Sequence, residues 1–129
     1  MYKRQTLTLR GELANSVALL KAAGITVTAD DAGGPRRKEF EHVAGVVIRE
    51  ATTNILRHSD ARRVEISLSP GHVVISNDGV IGVPAEDHTG GLANLRSRLA
   101  GVGGRLDVSC DDERFTLEAR WDADEGEAT

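Results

Sequence analysis

The amino-acid sequence predicts a two-layer α+β sandwich, with about three helices on one face of a mixed, mostly antiparallel sheet. Three observations predict it. Apolar residues recur at helical spacing in three proline-free segments, and short runs of strand character fall between and after them. Two pairs of those runs are joined by turns short enough to make hairpins.

In chain order, Thr6 to Leu9 alternates polar and apolar residues and is expected to be a short strand. Gly11 to Ala23 carries Leu13, Val17 and Leu20 at helical spacing, and Gly24 is a natural helix stop. Ile25 to Thr28 is expected to be a strand, and Asp30 to Arg37 has the composition of a loop. Glu39 to His58 is the longest helical stretch. Arg62 to Leu68 alternates, with Val64, Ile66 and Leu68 on one face, and Pro70-Gly71 turns it into a second strand at Val73 to Ser76. Asp78 to Gly91 is the longest loop. Leu92 to Ala100 is helical, with Leu92, Leu95 and Leu99 on one stripe, and Gly103-Gly104 ends that region. Leu106 to Cys110 and Phe115 to Trp121 form the second hairpin across Asp111-Asp112-Glu113. The domain is expected to span 1–121, with 122–129 an acidic, disordered tail.

Composition excludes several function classes. The 129 residues suffice for one compact domain, and a 3% aromatic fraction leaves the core to aliphatic side chains. A net charge of −4, from 16 basic and 20 acidic residues, argues against an electrostatically driven nucleic-acid binder. The lone Cys110 has no intrachain partner, so a reducing, cytoplasmic setting is expected. The longest apolar run, Val43 to Ile48, is far too short to span a bilayer. No direct membrane contact is expected, and any anchor would belong to another part of a parent protein.

Three segments carry chemistry. In REATTNILRHS, Arg49 to Ser59, helical spacing puts Glu50, Asn54, Arg57 and His58 on one side, continuing the stripe of Val43 and Val47. An Asn oxygen is a hard ligand suited to Mg²⁺, and a guanidinium forks across phosphate oxygens. The plain alternative is a solvated helix face with a surface ion network. In VVISNDGVIGVP, Val73 to Pro84, a strand runs into Asn77-Asp78-Gly79, where glycine lets backbone approach a ligand and an amide or carboxylate can bind an exocyclic amine. The alternative is an ordinary Asn-Asp-Gly turn. In HTGGLANLRSRL, His88 to Leu99, two glycines precede a helix start at Leu92 and so expose N–H groups and the positive end of a helix dipole. Here the alternative is that Thr89 caps the helix and the glycines relieve crowding.

In this order and spacing the three segments resemble the Bergerat-fold ATPase superfamily, and within it the catalytic, ATP-binding domains of sensor histidine kinases. REATTNILRHS followed by SNDG and GGLANLRSRLAGVGGRL is similar to kinases that pair with nitrate-response-type regulators, and the leader LRGELANSVALLKAAGITV resembles actinobacterial members. The resemblance runs from about Leu7 to Trp121. It implies ATP and Mg²⁺ as cofactors, Asn54 as the metal ligand of the N-box, and Glu50 as an acidic catalytic residue. By the same resemblance Arg57 contacts terminal phosphates, His58 lies beside the nucleoside, and Asn77 with Gly79 matches the first glycine box. Thr89, Gly90, Gly91 and Leu92 match the second glycine box. Asn77 stands where the motif has an adenine-binding Asp, Ile81 replaces its second Gly, and Thr89 replaces the first Gly of G-x-G-L. These departures bear on nucleotide affinity and on the geometry of the lid. Asn77→Asp is expected to preserve or tighten adenine binding.

The implied reaction is transfer of the ATP γ-phosphoryl to a histidine on a separate dimerisation domain, with a response regulator as the onward partner. None of His42, His58, His72 and His88 is followed by the acidic residue that the acceptor motif requires. Two further readings stay open: an anti-sigma-factor-type serine kinase, which shares the fold and is similar in length, and a non-catalytic nucleotide-responsive interaction module, which the departures at Asn77, Ile81 and Thr89 motivate.

Overall fold

The computed structural model describes residues 8–32, 38–79, 90–111 and 113–121. The first described residue opens a helix. Thr8 is extended, at φ −101° and ψ 153°, and its hydroxyl accepts the Gly11 N–H at 3.0 Å, capping α1 (Leu9–Ala22). Leu9, Glu12, Ser16 and Leu20 fall on its buried face, and Gly24, at φ +86°, ends it. The strand expected over Thr6 to Leu9 is therefore absent at its described end. Thr8 serves as a cap and Leu9 is a core residue of the helix, because two alternating residues are outweighed by a cap followed by a buried face.

β1 (Thr26–Asp31) is longer than its β-branched residues suggest and absorbs Asp30 and Asp31. Its parallel pairing with β2 (Arg63–Ser69) runs from Thr26 opposite Arg63 to Asp31 opposite Leu68, and this ladder uses backbone groups whatever the side chains. α2 (Lys38–His58) buries Phe40, Val43, Ala44, Val47, Ile48, Ala51 and Ile55. β2 buries Val64, Ile66 and Leu68 in strict alternation, and Gly71 at φ +76° turns the chain into β3 (His72–Asn77). α3 (Gly90–Gly101) begins two residues before the expected Leu92. β4 (Gly104–Asp111) and β5 (Arg114–Trp121) form the second hairpin.

The five strands lie in the order β1-β2-β3-β5-β4, with β1 and β2 parallel and every other neighbouring pair antiparallel. α1, α2 and α3 pack as a layer, with α2 between the other two and against β3 and β5. The core is aliphatic as the composition requires, except where the rings of Phe40 and Trp121 meet between the start of α2 and the end of β5. The opposite sheet face is polar. There the Glu118 carboxylate takes His72 Nε2 at 2.6 Å and Arg120 at 2.8 Å, while Arg114 donates to Ser76 at 3.0 Å. The two hairpins, the three helices and the two-layer arrangement thus match the expected fold class. Both the expected tail over 122–129 and the outer boundary of the domain lie outside the described residues.

Burial predicts a sharp contrast between two aliphatic truncations. Ile48 is fully buried on α2 whereas Leu19 is 54% exposed on α1. Ile48→Ala should lower unfolding free energy by about 2–5 kcal/mol, and Leu19→Ala should stay within about 0.5 kcal/mol of wild type. Urea denaturation followed by far-UV circular dichroism measures both.

Candidate functional site

α2 supplies the first wall. Its fully buried stripe includes Ala44, Val47, Ile48, Ala51 and Ile55, and Glu50 and Asn54 are half-buried, one helical turn apart at its margin. That margin keeps a carboxylate and an amide oxygen partly shielded yet accessible. Arg57 and His58 are exposed in the last turn, where their side chains complement the negative end of the helix dipole. Ser59 finishes the helix: its hydroxyl donates to the Ile55 carbonyl at 2.8 Å and accepts the Ala61 N–H at 3.3 Å.

β3 supplies the second wall. Strand periodicity puts Val73, Ile75 and Asn77 on the face covered by the helices, and Asn77 is only 3% exposed. Its Nδ2 donates to the Asp78 carbonyl at 2.8 Å, which turns the amide oxygen away from that carbonyl. Asp78 faces elsewhere. One oxygen of its carboxylate accepts the N–H groups of Arg62 at 2.8 Å and Arg63 at 3.0 Å, and the Asp60 N–H donates to the Gly79 carbonyl at 2.8 Å. Gly79 adopts φ +70°, and a Cβ added there would land on the Asp60 carbonyl, so only glycine fits. The β3 exit is thereby fastened to the loop that follows α2.

α3 opens the third wall. Gly90, Gly91 and Leu92 are its first three residues, so N–H groups that lack an acceptor within the helix belong to the predicted glycine pair. The helix buries Leu95 and Leu99 and packs on α2 and β4. Thr89, along with Ile81 and the rest of the predicted lid, lies outside the described residues. α2 touches both β3 and α3, so all three predicted segments meet in or against the helix layer rather than on the polar sheet face.

Among the described residues no group of three His, Cys, Asp or Glu side chains gathers closely enough to hold a metal. At the margin of α2 the half-buried hard donors are the Asn54 amide oxygen and the Glu50 carboxylate. Such a sparse set fits Mg²⁺, which keeps several waters and completes its octahedron with phosphate oxygens, better than a cation that needs a full protein cage.

No family model matches the chain. A sensor histidine kinase of Bacillus subtilis (strain 168), YvfT, is 33% identical to it over 112 residues, which make up 81% of the chain and 30% of that protein. The chain is a homologue of a sensor histidine kinase. Its fold is also that of histidine kinase catalytic domains. The histidine kinase domain of the blue-light-activated kinase from Erythrobacter litoralis EL346 superposes with a TM-score of 0.71 at 18% identity, over 94% of this chain and 64% of that one. The nucleotide-free catalytic domain of histidine kinase ThkA gives 0.60 at 10% identity, over 95% and 97%. The cytoplasmic segment of histidine kinase QseC gives 0.67 at 14% identity, over 89% and 72%. The chain thus spans under a third of the curated relative and nearly the whole of one isolated catalytic domain. Nothing in these matches favours the serine-kinase or the non-catalytic reading. No described helix is long and apolar enough to cross a membrane.

Within this histidine-kinase fold the predicted residues fall into three groups. Glu50, Asn54 and Asn77 are at least half-buried, on elements that pack together. Arg57 and His58 stand exposed at the end of α2. Gly79 has a structural duty toward Asp60. Asp78 and Ser59, which organise the end of α2, were not singled out from the sequence. Their partners are backbone groups, and backbone groups leave no mark in a sequence.

The Asp78 carboxyl is held below its ordinary 3.8, first by the Arg63 N–H and then by that of Arg62. A depressed native pKa stabilises the fold above the unfolded value, and this contribution disappears as pH falls through the lower native value. Wild type should therefore lose more stability than Asp78→Asn between about pH 5 and pH 2. Glu118, depressed mainly by His72 and then by Arg120, contributes with the same sign in both proteins and cancels in the comparison. Urea midpoints at a series of pH values test this.

Proposed function

We propose that the chain is the ATP-binding catalytic domain of a sensor histidine kinase, passing the γ-phosphoryl of ATP to a histidine on a separate dimerisation domain of its parent. The observation that carries this is the orientation of Asn77. It is a buried amide on the helix-covered face of β3, beside the helix whose margin holds Glu50 and Asn54. The relationship to a sensor histidine kinase supports it independently.

In this reading the Asn77 amide oxygen accepts from the exocyclic amine of adenine, and Gly79 lets the backbone approach the ring. Asn54 binds Mg²⁺, and Arg57 contacts the terminal phosphates from the exposed end of α2. His58 lies beside the nucleoside, and the N–H groups of Gly90, Gly91 and Leu92, with Thr89, receive phosphate at the start of α3. Mg²⁺, when bound, neutralises charge on the phosphate oxygens. Glu50 takes the proton from the acceptor imidazole or orients it. As the N–P bond forms, the bond from the γ-phosphorus to the bridging oxygen breaks and ADP leaves. Positioning and charge neutralisation supply most of the rate in such a transfer. The acceptor domain and a response regulator are the implied partners, and the reaction belongs on the cytoplasmic side, where ATP is available.

Isothermal titration with Mg²⁺–ATP should give saturable heat that ADP abolishes by competition. A featureless titration at millimolar nucleotide would remove the basis of the reading. Asn54→Ala should erase the Mg²⁺ dependence of binding without moving the melting temperature appreciably. It should also lower phosphoryl transfer to a supplied acceptor domain by about 10²-fold or more. The chain alone, incubated with γ-labelled ATP, should acquire no acid-labile phosphate.

A further inference from the structure

Asn77 and Asn54 lie on different elements, 23 positions apart, and nucleotide recognition as proposed above needs them at a set separation. A run of hydrogen bonds, linked through the backbone of residues 61–63 and through Asp78, joins their surroundings. The Ile55 carbonyl accepts from Ser59 Oγ at 2.8 Å, and Ser59 Oγ accepts the Ala61 N–H at 3.3 Å. The next two N–H groups, of Arg62 and Arg63, end on one oxygen of Asp78 at 2.8 and 3.0 Å. The Asp78 carbonyl receives Asn77 Nδ2 at 2.8 Å. A second strut runs alongside, from the Asp60 N–H to the Gly79 carbonyl at 2.8 Å. The same loop also anchors β1, through Thr26 N–H to the Arg62 carbonyl at 2.9 Å.

We infer that Asp78 is a positioning residue. Its carboxylate clamps the α2–β2 loop to the β3 exit, so that Asn77 is held in the orientation that receives adenine before nucleotide arrives. The inference rests on the nucleotide-binding reading and adds to it a residue that touches no ligand. The chemistry of the side chain supports the role. A carboxylate is acceptor-only and charged, so its bonds to two amides are stronger than a neutral oxygen would make. A residue serving only as a turn former would need neither partner, since both lie 15 or 16 positions away in sequence. Preorganisation of this kind raises affinity by removing the ordering cost of binding.

The experiment compares the full chain with Asp78→Ala, Asp78→Asn and Asp107→Ala, the last removing an exposed carboxylate on β4. Amide hydrogen exchange without ligand and the dissociation constant for Mg²⁺–ADP are both read at a temperature where each protein is folded by circular dichroism. Asp78→Ala should accelerate exchange at Arg62 and Arg63 and weaken nucleotide binding, each by about tenfold, the loss expected for one charge-assisted interaction. Asp78→Asn keeps an acceptor oxygen and should restore both to within about threefold. Asp107→Ala should change neither. If Asp78→Ala does not fold, Asp78→Ser should show the same two losses, because its short hydroxyl cannot reach both amides. Unchanged exchange at Arg62 and Arg63, or unchanged affinity beside a wild type that binds, overturns the positioning role and leaves the proposed function standing. A wild type that binds no adenine nucleotide overturns both.

Discussion

The parity of β3 governs the arrangement of this domain. β3 is the middle strand of five, and Val73 and Ile75 must face the helices because the core has no other way to close over Val64, Ile66 and Leu117. Once those two are buried, the two-residue period delivers Asn77 to the same face. A slip by one residue would send Asn77 to the polar side and bring Ser76 and Asp78 inward. The hydrophobic pair thus positions a polar side chain that contributes nothing to the hydrophobic core.

α2 solves the matching problem with a different period. Its apolar residues form a stripe broad enough to lie against α1, α3, β3 and β5, and the helical period leaves Glu50 and Asn54 at the margin of that stripe. The packing on the α1 side is close. A Cβ at Gly45 would meet the Glu12 side chain at 3.3 Å, and the Glu12 carboxylate sits 3.6 Å from Arg49. This crossing sets the rotation of α2 about its own axis, and that rotation decides how far Glu50 and Asn54 project from the helix layer. Strand parity and helix phase are separate consequences of core packing, and the candidate site forms where they meet.

Much of this was legible in the sequence because periodicity is a local property. The long helix, both hairpins and the grouping of Glu50 with Asn54 follow from spacing alone. The misplacements were of another kind. Thr6 to Leu9 alternates like a strand, yet Thr8 makes a cap whose value depends on Leu9 having a core to enter. Asp30 and Asp31 have loop chemistry but join β1 because β2 offers them a ladder. Gly90 and Gly91 have low helix propensity and still begin α3, where Leu95 and Leu99 hold the helix down. In each case a contact distant in sequence outweighed a local preference. The role of Asp78 was hidden for the same reason, with partners that are amides of a loop 15 and 16 residues upstream.

The departure of Asn77 from the usual Asp of the resembled motif has a physical basis in this arrangement. An Asp at position 77 would place a carboxylate oxygen against the Asp78 carbonyl, where the Asn77 Nδ2 now donates at 2.8 Å. It would do so at 3% exposure and next to a second carboxylate that is itself kept charged by two amides. Burial and like charge would both oppose its ionisation, which weighs against the expectation that Asn77→Asp preserves or tightens adenine binding. The amide avoids that conflict, since its nitrogen satisfies the neighbouring carbonyl while its oxygen remains an acceptor, as an adenine amine would require in the proposed reading. In the proposed reading, adenine recognition by oxygen therefore does not depend on a carboxylate at this position. What an Asp would add is charge, and this strand exit already carries one on Asp78, directed at the loop that follows α2.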